Sequence, residues 1–291
     1  MQLTILLVAL FAVVLWGASA VATKVAVITL SPLTVALLRT VIGGSAALAL
    51  ALLVRVALPS SHRHRGLLLL SGFCGFVAFP LLFTWGVERT SANHASMILA
   101  SLPVFTGAIA MTWDRKKPQA VWWLGCAIAL GGEALLIGSG SRAGAGEATV
   151  VGDLMVLASN LFASLGYVVG GRLQREGYPA VGTTFWGAGI YALILLPFLP
   201  FATSIGELSG GSLDSWLGVM YLAVGVTIVG YVCWYWALGQ GGIERVGLLQ
   251  FLQPVSGVIL AGILLGETVG LSFVTASCAI LFGVWVALRA K

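Results

Sequence analysis

Long apolar runs alternate with short polar, glycine-rich or proline-rich stretches along the whole sequence. Most runs approach or exceed about 20 residues, the length that a helix needs to cross the hydrocarbon core of a bilayer. The breaks between them carry turn chemistry, for example at Ser31-Pro32 and Tyr178-Pro179. The pattern therefore predicts an all-α integral membrane protein with ten transmembrane helices. The predicted spans are 3–28, 33–54, 66–87, 93–112, 119–138, 150–171, 180–200, 214–238, 244–265 and 269–288.

The amino-acid composition excludes a soluble protein. Hydrophobic residues make up 59% of the 291 positions and charged residues 9%, whereas a soluble domain carries about 25% charged residues. The net charge of +5 comes from short loops between apolar runs, so it does not indicate nucleic-acid binding. The four cysteines lie singly within apolar runs, which is typical of small core residues. The sequence shows no grouping of metal ligands, and we expect neither a metal nor another cofactor.

Lys and Arg are distributed unevenly between the two sets of loops. With the amino terminus inside, 11 of the 15 basic residues fall in inner loops and tails, and two fall in outer loops. Cytoplasmic loops carry the excess of Lys and Arg in membrane proteins, so we expect both termini to be cytoplasmic. The eleven inner positions are Arg55, Arg63, Arg65, Arg115, Lys116, Lys117, Arg172, Arg175, Arg245, Arg289 and Lys291.

The two halves of the sequence share features at a constant offset. Pro103 and Pro254 interrupt the fourth and ninth spans 151 positions apart, and Trp85 and Trp236 have the same separation. Two apolar helices broken at matching places are typical of transporters whose binding site lies at the bilayer midplane. Because each half holds an odd number of spans, five, the second half must enter the membrane from the opposite side, which makes the repeat inverted. The predicted division is a first repeat at 1–138, a flexible connection at 139–149 and a second repeat at 150–291.

Several short motifs resemble those of a known family. The first span carries Trp16-Gly17, the fourth and ninth carry Pro103-Val104 and Pro254-Val255, and the ninth closes with Leu264-Leu265-Gly266-Glu267. Over nearly the whole chain these motifs look like the drug/metabolite transporter superfamily, EamA type. Within it the chain is most similar to bacterial YddG-type exporters of aromatic and other amino acids. One departure is the basic turn from Trp113 to Lys117, where the first half should have a Leu-Gly-Glu-like turn.

The resemblance implies a place in the bacterial inner membrane and a central cavity. Spans 1 to 4 and 6 to 9 would line that cavity, and spans 5 and 10 would support it from outside. The expected partners are a small-molecule substrate and the lipid bilayer, while the oligomeric state is left open.

The two prolines also indicate candidate binding residues. Proline lacks a backbone donor and clashes with the carbonyl four residues back, so Pro103 and Pro254 free the carbonyls of Leu99 and Gln250. An unpaired carbonyl in hydrocarbon is costly, so such groups should face protein or a wet cavity. Gln250 and Gln253 lie beside this break and are candidate substrate contacts. The alternative is that they form polar contacts with neighbouring helices.

Polar and aromatic side chains of other spans are candidates to complete such a cavity. In the fourth span, His94 and Ser101 precede the proline, although a histidine so close to the span end also suits an interfacial role. Trp and Tyr near span ends form interfacial belts, whereas a deeply buried Tyr hydroxyl or indole N–H needs a partner. Packing within the core is the alternative to substrate contact. The further candidate lining residues are Phe79, Trp186, Tyr231 and Trp234.

Few ionisable residues lie inside the predicted spans. Lys24 is close to a span end, Arg39 is about 10 Å into the second span by helical rise, and Glu133 is the one acid well within a span. Glu133 falls in the fifth span, which the resemblance places outside the cavity. We therefore expect facilitated export that follows a gradient, rather than proton-coupled export.

The expected function is export of small amphipathic metabolites by a secondary transporter, with aromatic or hydrophobic amino acids first. Multidrug, nucleoside or nucleotide-sugar transport within the same superfamily is the alternative. Nucleotide sugars would call for more fixed positive charge than Lys24 and Arg39 supply. An integral membrane enzyme acting on lipid would need clustered carboxylates or a metal site, and the ten acids are scattered singly. We therefore do not expect an enzyme.

Overall fold

The computed structural model describes residues 3–113, 119–140, 148–242 and 246–289, which form helices and the turns between them. The ten main helices in these ranges are α1 (Leu3–Ala26), α2 (Pro32–Leu53), α3 (His62–Glu88), α4 (Ala92–Trp113), α5 (Ala120–Gly140), α6 (Val150–Arg175), α7 (Ala180–Ala202), α8 (Leu213–Gly241), α9 (Leu252–Leu265) and α10 (Leu271–Arg289). A short helix, Ile205–Gly210, lies between α7 and α8. Each of the spans predicted from hydrophobicity overlaps one of these helices, although several helices extend a few residues beyond the predicted limits.

Seven of these helices are long and apolar enough to cross a membrane, namely α1 to α4 and α6 to α8. The apolar stretches of α5, α9 and α10 are shorter: Ala120–Leu136, Leu252–Leu265 and Leu271–Ala287. Large apolar side chains are exposed along the helices, as contact with lipid requires. The prediction of an all-helical, multi-pass membrane protein is therefore confirmed for the described residues.

Side-chain caps fix the start of several helices. The Ser31 hydroxyl accepts a hydrogen bond from the first turn of α2, and Pro32 opens that helix. Proline suits this position because the first N–H groups of a helix have no helical partner. Ser91, Thr149 and Ser212 cap α4, α6 and α8 in the same way. The hydroxyls thereby pair backbone donors that helix geometry leaves free.

Contacts between helices follow a pattern that repeats five helices along the chain. α2 packs against α7, and α5 packs against α10. The contact between α3 and α6 has a counterpart between α8 and α1, and the contact between α4 and α6 has one between α9 and α1. As a result the middle of the bundle is surrounded by α1 to α4, α6, α8 and α9, while α5 and α10 make their main contacts with each other.

Several helices around the middle of the bundle depart from regular α-geometry. The departures are a turn at Ala18 in α1, π-helical segments at Cys74–Ala78 in α3 and Tyr221–Gly230 in α8, and 3₁₀ segments at Leu99–Ser101 in α4 and Gly247–Phe251 before α9. The 3₁₀ segments end just before Pro103 and Pro254, where breaks are expected. Such segments often occur at functional sites.

Several charged positions used for the predicted topology lie outside the described residues. They are Arg115, Lys116, Lys117, Arg142, Arg245 and Lys291. Most of the connection predicted at 139–149 also lies outside them. Glu133 lies in α5, the helix in which it was expected.

Candidate functional site

Aromatic side chains from three helices meet in the middle of the bundle around Trp16 of α1. Its ring stacks on Tyr167 of α6, with the ring centroids 5.5 Å apart and the planes inclined by 12°. Tyr231 and Trp234 of α8 contact Trp16 at centroid distances of 5.1 and 5.4 Å. The indole N–H of Trp16 donates to the carbonyl of Val226 at 3.1 Å. The π-helical segment of α8 therefore supplies the carbonyl that fixes the central ring.

A small cavity lies beside this cluster. The centre of a water molecule can occupy about 10 Å³ of this cavity, which is room for about one water. This space is too small for a metabolite, which could enter only if the lining side chains moved apart. The lining residues are Trp16, Ser19, Arg39, Phe79, Leu99, Leu102, Tyr167, Val226, Tyr231 and Gln253.

Several buried polar atoms on the helices that form this cavity, and in the 3₁₀ segment before α9, have no hydrogen-bond partner among the described residues. They are Nη1 of Arg39, Oε1 of Gln253, Nε1 of Trp234 and both side-chain amide atoms of Gln250. Gln253 is 4% exposed and the other three residues are 1% exposed. Buried donors and acceptors are nearly always paired, and each one left unpaired costs about 1–3 kcal/mol. A polar ligand bound here would gain hydrogen bonds that the protein alone does not make.

The 3₁₀ turn of α4 is held by polar side chains of α6. Asn160 Nδ2 donates to the carbonyl of Ile98 at 2.8 Å and to Ser101 Oγ at 2.9 Å. Ser101 donates to the same Ile98 carbonyl at 2.8 Å, and Ser164 donates to the carbonyl of Leu102 at 3.2 Å. These bonds supply partners to carbonyls around the proline break, as an apolar surrounding requires. In this structure Ser101 is part of the contact between α4 and α6.

A second polar group joins α1, α3, α4 and α6 near one end of the bundle. Asp153 at the start of α6 is fully buried, and its carboxylate accepts a hydrogen bond from the Thr90 hydroxyl. Its other oxygen lies 2.9 Å from Nδ1 of His94. Lys24 Nζ donates to the carbonyls of Thr90 and Val87 at 2.6 and 3.1 Å. His94 is therefore partnered within the protein and lies outside the cavity lining.

Glu267 links the turn after α9 to the start of α4. Its two carboxylate oxygens accept hydrogen bonds from the backbone N–H groups of Ala92 and Asn93, each at 2.8 Å. Negative charge is favoured at this position because the N-terminus of a helix carries partial positive charge. Gly266 has a φ of +67°, a conformation that glycine adopts without strain. The motif that closes the ninth span thus attaches α9 to α4.

Three of the predicted substrate contacts line the cavity, and two more lie in helical segments next to lining residues. Phe79, Tyr231 and Gln253 line it. Trp234 packs on Trp16 next to it, and Gln250 lies in the 3₁₀ segment that contacts α1 and α4. The matching breaks at the two prolines surround the same region.

The other three predicted contacts lie elsewhere in the structure. Ser101 and His94 make the interhelical bonds described above. Trp186 of α7 donates from its indole N–H to the carbonyl of Val56 at 2.9 Å, beyond the end of α2. This bond satisfies the polar atom of a half-buried tryptophan.

Seven of the ten lining residues were not among the predicted substrate contacts, and the aromatic or charged ones among them are Trp16, Arg39 and Tyr167. A signal for Arg39 was present in the sequence, because an ionisable residue inside a span is a functional candidate by default. Asn160 and Ser164 carry no signal beyond being polar residues in an apolar helix. Which neighbour they meet depends on the rotation of α6.

Comparison with known proteins places the chain in a family of transporters. The model of the EamA-like transporter family matches residues 3–138 and 150–289. A Bacillus subtilis protein named uncharacterized transporter YdeK is 31% identical over 284 residues, which cover 95% of this chain and 94% of the relative. A probable amino-acid metabolite efflux pump of Salmonella typhimurium is 30% identical over 275 residues, which cover 89% of this chain and 86% of that protein. An uncharacterized transporter of Archaeoglobus fulgidus is 25% identical over 279 residues, which cover 96% of each chain.

A solved crystal structure has the same fold. Its TM-score to this chain is 0.67, with 20% sequence identity and 100% of both chains covered. Sequence identity at this level supports a shared fold only. The family match extends over both halves of the sequence and includes the apolar helices and the motifs described above. This chain is a multi-pass membrane transporter and belongs to the EamA-like transporter family of the drug/metabolite transporter superfamily.

Proposed function

We propose that this transporter exports small amphipathic metabolites, amino acids with aromatic or hydrophobic side chains first, by alternating access to the central cavity. The observation that carries the proposal is an aromatic wall combined with unpaired polar groups at one cavity. Trp16, Tyr167 and Tyr231 present rings, and Arg39 and Gln253 carry an unpaired donor and an unpaired acceptor. A solute with an apolar side chain and a charged polar end matches both features.

The proposed architecture is ten spans in two inverted five-helix repeats, 1–138 and 150–291, joined by 139–149. Three observations support it. The family model matches each half separately, and the helix contacts repeat five helices along the chain. In addition, the π-helical segments occur in α3 and α8, and the 3₁₀ segments in α4 and before α9, which are corresponding helices of the two repeats. Rocking of one repeat against the other would open the cavity to each side in turn.

The proposed topology places both termini in the cytoplasm and the protein in the bacterial inner membrane. The excess of Lys and Arg in the inner loops, 11 of 15 basic residues, supports this orientation. The relatives from Bacillus subtilis and Salmonella typhimurium support a bacterial membrane. With this orientation the end that holds Lys24 and Glu267 faces outward.

The proposed mode is facilitated export along the gradient of the solute. Among the described residues that line the cavity there is no acid that could carry a proton to the solute. The fully buried acid at the start of α6, Asp153, is hydrogen-bonded to Thr90 and lies within hydrogen-bond distance of His94. Glu133 lies in α5, whose main contacts are with α10.

An amino-acid substrate is supported by the name of the Salmonella typhimurium relative, a probable amino-acid metabolite efflux pump. Drugs and nucleosides are the second candidates, because aromatic rings stack on many planar solutes. Nucleotide sugars are supported less well. Their diphosphate carries more than one negative charge, and Arg39 is the single cation among the described lining residues.

Efflux from proteoliposomes of the purified protein tests the proposal. The vesicles are loaded with radiolabelled phenylalanine, methionine or threonine, with or without a pH gradient. We expect saturable efflux without the gradient, faster for phenylalanine than for threonine. Absence of flux for all three amino acids would refute the amino-acid proposal, and flux that requires the gradient would refute the facilitated mode.

Two variants test whether this efflux depends on residues at the cavity. Gln253→Ala and Trp234→Ala should each lower phenylalanine efflux about tenfold, the effect of one lost hydrogen bond to a charged or polar ligand group. Trp123→Ala is the matched control, because Trp123 is 60% exposed on α5. Size-exclusion chromatography checks that each variant remains folded. Equal loss of efflux in the Trp123 variant would show that the loss does not depend on the cavity.

A further inference from the structure

Arg39 is a cation buried in a membrane-spanning helix. Its side chain is 1% exposed, Nε donates to the hydroxyl of Thr227 at 3.3 Å, and the guanidinium carbon lies 5.7 Å from the centre of the Phe79 ring. Nη1 has no hydrogen-bond partner among the described residues, and Arg39 lines the central cavity. Burial of a charge is costly unless a partner compensates it, so a cation in a span marks a functional site.

Within the described part of the chain, no acidic side chain forms an ion pair with Arg39. The buried carboxylate of Asp153 is bound by Thr90 and His94, and the carboxylate of Glu267 is bound by the backbone of α4. The remaining described lining groups are aromatic rings, aliphatic side chains, a serine hydroxyl and the amide of Gln253, all of them neutral. The cavity therefore has a positive charge that an anionic solute would balance.

We propose that Arg39 is the receptor for a single carboxylate on the transported solute. A guanidinium presents its donors in a planar fork that matches a carboxylate, and one cation balances one negative charge. Gln253 Oε1, which also lacks a partner, is available to accept from an N–H group of the same solute. The aromatic rings around Trp16 would then contact its apolar side chain. The proposal rests on the proposed function and specifies which chemical group of the solute is recognised.

The π-helical segment of α8 positions Arg39 for this role. The Thr227 hydroxyl donates to the carbonyl of Leu222 at 2.8 Å, which leaves its oxygen free to accept from Arg39 Nε. Because Nε is held in this way, Nη1 remains available at the cavity. Thr227 is therefore a positioning residue, and Thr227→Val should remove the acceptor while the charge of Arg39 stays in place.

Isothermal titration calorimetry of the purified protein in detergent tests the carboxylate receptor. Three ligands share a phenyl group: phenylalanine, 3-phenylpropionate, which lacks the amine, and phenethylamine, which lacks the carboxylate. Arg39→Gln should weaken binding of the two carboxylates by about 10- to 100-fold, as for a lost hydrogen bond to a charged group. It should not weaken binding of phenethylamine. Arg39→Lys should recover part of the loss, because it retains the charge without the fork.

Arg89→Gln is the matched control, because Arg89 is a cation at the end of α3 with 45% of its side chain exposed. It should bind all three ligands as the wild type does. If Arg39→Gln fails to fold, Thr227→Val must show the same carboxylate-specific loss. Equal weakening for all three ligands, unchanged binding of 3-phenylpropionate, or binding of neither carboxylate by the wild type would overturn the proposal.

Efflux measurements separate this proposal from the proposed amino-acid export. Arg39-dependent efflux of 3-phenylpropionate without any amino-acid efflux would support the carboxylate receptor and refute amino-acid export. Phenylalanine efflux that is the same in wild type and Arg39→Gln would support the exporter and refute the receptor.

Discussion

Replacement of Glu267 by alanine should loosen the end of the bundle at which α4 begins. The two carboxylate oxygens of Glu267 lie 2.8 Å from the backbone nitrogens of Ala92 and Asn93. These N–H groups belong to the first turn of α4, where no helical carbonyl can pair them. Alanine leaves both donors without this partner and detaches the turn after α9 from α4.

The size of the effect follows from these two bonds and their partial exposure. A hydrogen bond to a charged group contributes about 1.5–3 kcal/mol net. Both bonds are only partly buried, so water replaces part of each, and the expected loss of unfolding free energy is about 2–3 kcal/mol in total. Glu267→Gln should lose less, because the amide oxygen still accepts from one N–H while its NH₂ group faces the other.

Thermal unfolding of the purified variants in detergent measures their relative stability. Glu88→Ala is the control, because Glu88 pairs with Arg89 at an exposed position and such pairs contribute about 0–1 kcal/mol. The unfolding temperature should be highest for wild type and Glu88→Ala, lower for Glu267→Gln and lowest for Glu267→Ala. Our account of the motif would be wrong if Glu267→Ala unfolded at the same temperature as the wild type.

Gly17→Ala should destabilise the protein by about 1–3 kcal/mol through overpacking, because the added carbon would lie 1.8 Å from a serine hydroxyl of α9. The carbon added by Gly66→Ala would meet open space, so this variant should not be destabilised. Thermal unfolding of the two variants tests this difference. Hydrogen bonds from Arg63 and His64 lower the pKa of Glu176 from 4.5 to about 2. The stability difference between wild type and Glu176→Gln should therefore persist above pH 4.5 and shrink as the pH falls towards 2, which unfolding at a series of pH values tests.

The candidate site was predictable to the extent that it depends on position along a helix. Pro254 marks a break near the middle of its span, so Gln250 and Gln253 could be placed near mid-membrane from the sequence. Both are buried and carry unpaired atoms, and Gln253 lines the cavity. Trp186 is equally deep in its span, but its indole bonds to Val56 at the end of α2. Depth can be read from sequence, whereas the direction in which a side chain points cannot.

Hydrophobicity by itself determined the membrane class and the approximate limits of the helices. This is possible because a helix in lipid must pair its own backbone groups and needs about 20 apolar residues to span the core. Only the tertiary structure decided which faces of those helices meet. Helices that are apolar on all sides carry no stripe that identifies an inner face, so the sequence could not show that Trp16 would centre the aromatic cluster. The same holds for Arg39, whose unpaired donor at the cavity depends on the rotation of α2 and on the hydroxyl that the π-helical segment of α8 supplies.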